Sequence, residues 1–178
     1  MSSNRRKSVV RSIRITRKLD DIIVGDAAAK GVTVNALISM ILSKYAEWDR
    51  YAERFGFVTI TRDGFRRFIE AIEDEKLVEV AEELGARNPK EMALFWFKRL
   101  NLEAFFQYLS LYTRYGRIGE YEVESGDGSY IVTLHHDLGR KYSLLLSHFL
   151  MQALKTMVGV SAGLSLGENA LALRFDAK

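Results

Sequence analysis

The most restrictive feature of this sequence is one stretch of strand-like alternation that is followed, within the first 55 residues, by two helical patterns. Between residues 9 and 16 the chain is rich in β-branched residues, and Ile13 and Ile15 alternate with Ser12 and Arg14. A period of two places the isoleucines on one face and the polar residues on the other. Because a lone strand leaves its backbone N–H and C=O groups unpaired, this segment requires a partner strand.

Two helices are predicted after this strand. The first, of about 13 residues, ends at Gly31, because glycine readily adopts the left-handed conformation that closes a helix. The second begins after Thr33, a favourable N-cap residue, and its apolar stripe persists to Phe55. A unit of about 45 residues with one strand and two helices buries too little surface to be stable alone. The partner strand is therefore expected from an identical chain, paired antiparallel across a two-fold axis.

This segment resembles the ribbon-helix-helix DNA-binding proteins, the family of the Arc and MetJ type of repressor. The resemblance rests on Arg-Ser-Ile-Arg-Ile-Thr at 11–16, on the short helix ending at Gly31, and on Gly-Val-Thr-Val-Asn-Ala-Leu-Ile at 31–38. It covers roughly residues 8–45 of the 178. It implies an N-terminal DNA-binding domain, residues 1–55, in which a dimer inserts a two-stranded ribbon into the major groove.

The resemblance also implies roles for individual residues. Outward-facing strand residues would read base edges: Val10 through apolar contact, Ser12, and Arg14, which can donate two hydrogen bonds to guanine. DNA phosphates would be bound by cations of the N-terminal arm and by the start of the second helix, where free N–H groups favour an anion. The predicted phosphate-binding residues are Arg5, Arg6, Lys7, Arg17, Thr33 and Asn35.

The charge of the chain is concentrated at its N-terminus. Residues 1–18 contain seven Lys or Arg and no acid, whereas the whole chain has 26 basic and 23 acidic residues. The arm therefore carries +7, and the remaining residues together carry −4. A short basic arm on an acidic body is typical of a chain that contacts a polyanion with one end.

The composition excludes several classes of protein. With 48% hydrophobic and 28% charged residues, the chain is neither disordered nor fibrous. The lack of cysteine excludes disulfide frameworks, thiolate zinc sites and cysteine nucleophiles, and it favours a reducing compartment. No apolar run reaches the ~18 residues that a membrane helix needs, so we expect no membrane contact and a cytoplasmic, DNA-associated location.

Residues 56–178 are predicted to form a second, α+β domain for dimerisation or effector sensing. A short strand or extended link at 57–61 precedes four helical patterns, of which the second closes at Gly85 and the third opens at Pro89. The fourth follows Asn101, so this part of the domain is mostly helical.

The sequence pattern then changes to strands. Two hairpins are predicted, with turns at 126–128 and 167–169, and a long helix over 139–158 lies between them. This β-β-α-β-β order predicts an antiparallel sheet that is covered by one helix.

All three histidines, His135, His136 and His148, lie in this second domain. Neighbouring strand residues point to opposite faces, so His135 and His136 cannot readily chelate one metal ion, and no metal site is predicted. The helix entrance that follows combines two cations with free N–H groups, so it is either a binding site for a small anion or a simple junction that His136 and Asp137 cap. The residues of this candidate anion site are His136, Asp137, Gly139, Arg140 and Lys141.

The motifs of common enzymes do not occur in this sequence. No serine–histidine–acid spacing, phosphate-binding loop or paired-carboxylate motif is found, so neither catalysis nor a cofactor is expected. The predicted function is sequence-specific DNA binding by a homodimer, or a higher oligomer, that regulates transcription. The alternatives are an antitoxin-like or chromatin-associated interaction protein, and a repressor that a metal or a small-molecule effector controls through the second domain.

Overall fold

A computed structural model of the chain describes residues 9–52 and 54–177. The chain forms two compact units, of which the first ends at Tyr51 and the second begins at Ala52. The first unit is helical, and the second combines helices with a four-stranded antiparallel sheet. The fold class is therefore α+β, as predicted.

The first unit contains two helices joined by a tight turn. Its elements are α1 at Arg17–Ala29, α2 at Val34–Lys44 and a π-helical turn at Tyr45–Asp49, and a last helical turn, α3, at Arg50–Ala52, crosses the boundary between the units. Gly31 has a φ of 63° between α1 and α2, so the helix ends in the left-handed conformation that the sequence predicted. Thr33 is confirmed as an N-cap, because its Oγ1 accepts a hydrogen bond from the Ala36 N–H at 3.1 Å.

The predicted strand over 9–16 is not formed in the single chain. These residues have no strand pairing, and the first regular element is α1, whose N-cap Thr16 accepts a hydrogen bond from the Leu19 N–H. In the predicted ribbon the second strand would come from another copy, and a single chain does not supply it. The structure of the single chain therefore does not support a ribbon-helix-helix unit, and such a unit requires pairing between chains.

No helix within residues 9–52 and 54–177 is by itself long and apolar enough to cross a membrane. One bent pair, α1 with the segment Val34–Ala52, meets the length and composition requirement together, with a bend of 100°.

The helices of the second unit differ from the prediction at one place. They are α4 at Arg62–Glu70, α5 at Asp74–Phe97, α6 at Leu102–Arg114 and α7 at Arg140–Met157, and residues 57–61 form no strand. The predicted break between Gly85 and Pro89 is wrong, because α5 continues through both for 24 residues. A Cβ atom on Gly85 would lie 2.3 Å from the carbonyl oxygen of Phe149, so this glycine permits the close approach of α7.

The four strands confirm the β-β-α-β-β order. They are β1 at Glu120–Gly126, β2 at Ser129–His135, β3 at Gly163–Leu166 and β4 at Ala170–Asp176. Their order in the sheet is β1-β2-β4-β3, and all neighbours are antiparallel. Asp127 and Gly128 both have positive φ, 53° and 83°, as a two-residue hairpin turn requires.

One face of the sheet is buried beneath helices. Val132 and Leu134 of β2 lie opposite Leu173 and Leu171 of β4, and all four are at most 1% exposed. Helix α7 packs against β3 and β4, α6 packs against β1, and α5 lies along α7. The second unit therefore has its own core, as a layer of helices on a sheet requires.

Candidate functional site

The predicted base-reading residues lie on the exposed segment that precedes α1. Val10 is 88% exposed, and Ser12 and Arg14 are exposed as well. Ile13, on the opposite face of the alternation, is 73% exposed, and Ile15 is 36% exposed. In the single chain neither face of this segment is covered, so the apolar face is available to a partner.

The two helices of the first unit also leave apolar side chains uncovered. Within α1 and α2 only Ala27 and Leu37 are buried. The exposed apolar residues of these helices and of the π-helical turn are Leu19, Ile22, Val24, Met40, Ile41, Leu42 and Tyr45. So many exposed apolar side chains in one short unit are typical of a surface that another molecule covers.

The predicted phosphate-binding residues divide into three groups. Arg17 is exposed and forms an ion pair with Asp21 one turn along α1, at 3.2 Å. Thr33 and Asn35 are exposed at the first turn of α2, where the backbone N–H groups have no acceptor within the helix. Arg5, Arg6 and Lys7 lie outside the described residues.

The candidate anion site of the second unit is not assembled as one cluster. Arg140 and Lys141 approach the carboxylate of Asp74 at 3.5 and 3.4 Å. Lys141 Nζ also donates to the carbonyl oxygen of Glu70 at 3.2 Å and to that of Ile72. Both cations therefore contact groups at the α4–α5 junction, where they tie the start of α7 to the end of α4.

The predicted cap of α7 by Asp137 is wrong. Asp137 instead pairs with Arg62 at the start of α4. Gly139 is the N-cap of α7, with a φ of 83°, and its N–H donates to Asn169 Oδ1 at 3.0 Å. Asp137 does not cap α7 because it is paired with Arg62, and the Gly139 N–H is bound by Asn169 of the β3–β4 turn. Both of these partners are remote in sequence.

His136 forms a hydrogen-bonded link with Ser143. Its Nδ1 accepts from the Leu138 N–H at 3.2 Å, so the ring proton is on Nε2, which donates to Ser143 Oγ at 2.8 Å. Ser143 Oγ is 3.2 Å from the carbonyl oxygen of Glu168 and donates there. Ser143 is fully buried, and a nucleophilic serine would have to donate its proton to the histidine. The pair is therefore structural and joins β2, α7 and the β3–β4 turn.

The surroundings of His136 disfavour its charged form. Burial lowers the pKa of His136 below its ordinary value of 6.5; the nearby Asp137 carboxylate opposes this shift, and Arg62 and His135 add to it. The neutral ring is also the form that the hydrogen bond from Leu138 requires. Protonation of His136 is thus coupled to the stability of the second unit.

We expect the second unit to lose stability as the pH falls below about 6.5, because the unfolded chain then binds a proton that the folded chain resists. Since the folded pKa is depressed, the stabilisation is complete above that pH and declines toward the folded pKa. Thermal melts between about pH 8 and pH 5 would measure this. His136→Gln should be less stable at neutral pH but less sensitive to acid, whereas His135→Gln should retain the dependence. A His136→Gln protein with unchanged pH dependence would contradict the assignment.

A cleft that sequence reasoning did not predict opens beside this link, with a volume of about 410 Å³. It lies where β2 ends and β1 begins, and it combines residues from four separate parts of the second unit. Besides His136 and Asp137, its walls include Arg62, Arg117, Gly119, Glu120 and His135. The only local signal for it in the sequence is Gly116-Arg117-Ile118-Gly119, where two glycines surround an arginine.

In the part of the chain that the structure describes, no group of three or more His, Asp or Glu side chains could hold a metal ion. The Nδ1 atom of His148 lies 2.9 Å from Glu82 Oε1 on α5.

Comparison with known proteins identifies no family for this chain. No family model matches it, and no curated protein is significantly similar to it in sequence. Its function is therefore inferred from its own residues.

Proposed function

We propose that this protein is a homodimeric, sequence-specific DNA-binding protein that regulates transcription, and that its first unit becomes a ribbon-helix-helix domain when two chains pair. One observation carries the proposal: a segment with strand alternation, uncovered on both faces, leads directly into two helices that also expose apolar side chains.

Pairing with a second copy would satisfy each of these features. Residues 9–16 of the two chains would form an antiparallel ribbon and pair their backbone groups. Ile13 and Ile15 would face the exposed apolar residues of α1 and α2. Burying a fully exposed isoleucine contributes about 2 kcal/mol, and because Ile13 is 73% and Ile15 36% exposed, the two positions in two chains together gain about 4 kcal/mol.

The other face of the ribbon suits the major groove. Ser12 and Arg14 would project toward base edges, and Val10 would offer apolar contact to a thymine methyl group. At the start of α2, near Thr33 and Asn35, the free backbone N–H groups and the positive end of the helix dipole would bind a DNA phosphate. The +7 of residues 1–18 adds attraction that does not depend on base sequence, and this localises the protein on DNA in the cytoplasm.

The decisive experiment compares Arg14→Ala with Lys18→Ala on a site selected from random DNA. Both substitutions remove one exposed positive charge near the N-terminus. We expect Arg14→Ala to weaken binding to the selected site by about 10- to 100-fold, because a bidentate arginine–guanine contact contributes about 1–3 kcal/mol. Binding to unrelated DNA should fall only slightly in both variants, and Lys18→Ala should keep its preference for the selected site.

Equal losses on selected and unrelated DNA would show that Arg14 does not read bases. The salt dependence gives a second measurement: the logarithm of affinity should fall with the logarithm of salt concentration, with a slope of about −0.9 for each phosphate contacted. Affinity that is independent of salt would contradict DNA binding through the basic arm.

A further inference from the structure

The second unit contains a cleft of about 410 Å³ between the end of β2 and the start of β1. A volume of this size is typical of sites for small molecules. The cleft is made only of residues from 62 to 137, so it does not depend on the proposed DNA-binding role.

The backbone at the mouth of the cleft holds Arg117 in a costly conformation. Arg117 has a φ of 55°, in the left-handed region that costs a residue with a side chain about 1 kcal/mol or more. The residues after it are fixed, because the Ile118 carbonyl oxygen accepts a hydrogen bond from Tyr142 Oη at 3.1 Å. A Cβ atom on Gly119 would lie 2.3 Å from the His135 carbonyl oxygen, so the chain there is in close contact with the end of β2. Arg117 is thus held at the cleft by an anchored, strained turn.

The charges in the cleft are only partly matched. Arg62 and Asp137 form an ion pair with each other. By contrast, the exposed side chains of Arg117 and Glu120 make no ion pair or hydrogen bond with any part of the chain that the structure describes. The ring of His135, directly opposite Glu120 in the β1–β2 register, likewise makes no hydrogen bond to described residues. The cleft therefore presents one unmatched cation and one unmatched anion.

We propose that this cleft binds a free α-amino acid. The Arg117 guanidinium would hold the α-carboxylate through two parallel N–H···O hydrogen bonds, and the Glu120 carboxylate would accept hydrogen bonds from the α-ammonium group. A ligand with only a negative charge would be repelled by Glu120, and a ligand with only a positive charge would be repelled by Arg117. A zwitterion is therefore the class of ligand that matches both charges. The rest of the cleft, which opens to solvent, has room for a large side chain that extends toward His135.

The test uses the full-length protein without DNA, so that its outcome is separate from that of the DNA-binding proposal. Each of the twenty L-amino acids is screened by thermal shift, and any that stabilises the protein is titrated by calorimetry. We expect at least one with a large side chain to bind. The matching amine without its carboxylate, and the matching acid without its ammonium group, should each bind at least about 10-fold more weakly, since each lacks one ion pair.

Four variants locate the site. Arg117→Gly suits the left-handed backbone and keeps the fold while it removes the guanidinium, and Glu120→Gln removes only a charge. Each should weaken binding at least about 10-fold. Glu122→Gln and Arg174→Gln remove the same charges from exposed strand positions outside the cleft walls and should bind normally. The proposal is overturned if no amino acid binds, if an analogue with one charged group binds as tightly as its parent, or if Arg117→Gly binds like the unaltered protein.

Discussion

Replacing Ile13 and Ile15 together by serine is expected to weaken the dimer by several orders of magnitude and to abolish binding to the selected DNA site. Both isoleucines are exposed in the single chain, and the proposed ribbon buries them. In proportion to their exposed fractions of 73% and 36%, these isoleucines in the two chains together contribute about 4 kcal/mol to the ribbon. Because every 1.4 kcal/mol corresponds to about a factor of ten, such a loss weakens dimerisation about 1,000-fold.

Sedimentation equilibrium would measure self-association of this double variant, and gel-shift titration would measure its binding to DNA. A matched control replaces Val58 and Ile60 by serine, because these residues are also apolar and are more exposed, at 87% and 56%, but lie in the second unit. The control protein should dimerise and bind DNA as the unaltered chain does. If the Ile13→Ser, Ile15→Ser protein bound the selected site with full affinity, the ribbon proposal would be wrong.

Replacing Gly85 by alanine is expected to destabilise the second unit by about 1–3 kcal/mol, the usual cost of overpacking a core. The added Cβ would lie 2.3 Å from the oxygen of Phe149 and 2.8 Å from its Cα. These are backbone atoms, so the strain can be relieved only by moving α7 away from α5. A unit of this size should melt roughly 4–12 °C lower.

Gly25→Ala is the natural comparison for Gly85→Ala. Gly25 also lies inside a helix, α1, but a Cβ atom there would meet nothing within 4 Å. Alanine should therefore stabilise α1 by up to about 1 kcal/mol through its helix propensity and leave the melting of the second unit unchanged. If Gly85→Ala melted at the same temperature as the unaltered protein, close packing of α5 and α7 would not explain this glycine.

Features that depend on neighbouring residues could be predicted from the sequence. Thr33 caps α2 and Asn101 caps α6, because a capping side chain needs only the backbone of the turn that follows it. The Asp127-Gly128 turn is equally local. The α+β class followed from these local features together with the change from helical to alternating periodicity.

Features that depend on distant residues could not be predicted in this way. Glycine is typical of a helix end, but Gly85 lies inside α5. It is glycine because a Cβ atom there would collide with Phe149, which is more than sixty positions later in the chain. Arg140 and Lys141 are adjacent cations at a helix start, yet both contact the carboxylate of Asp74 on another helix. The pairing of residues 9–16 is even harder to predict from neighbouring residues, since the expected partner strand belongs to a different molecule.

Completion of the sheet is expected to limit how fast the second unit folds. Each hairpin closes over a turn of two or three residues, but the hairpins join only through β2 and β4, which the whole of α7 separates in sequence. Closing a long loop costs entropy before its contacts form, so the hairpins and α7 should appear first and the β2–β4 pairing last. Until then both central strands have an open edge, and a newly synthesised chain is most exposed to aggregation through strand pairing with its neighbours.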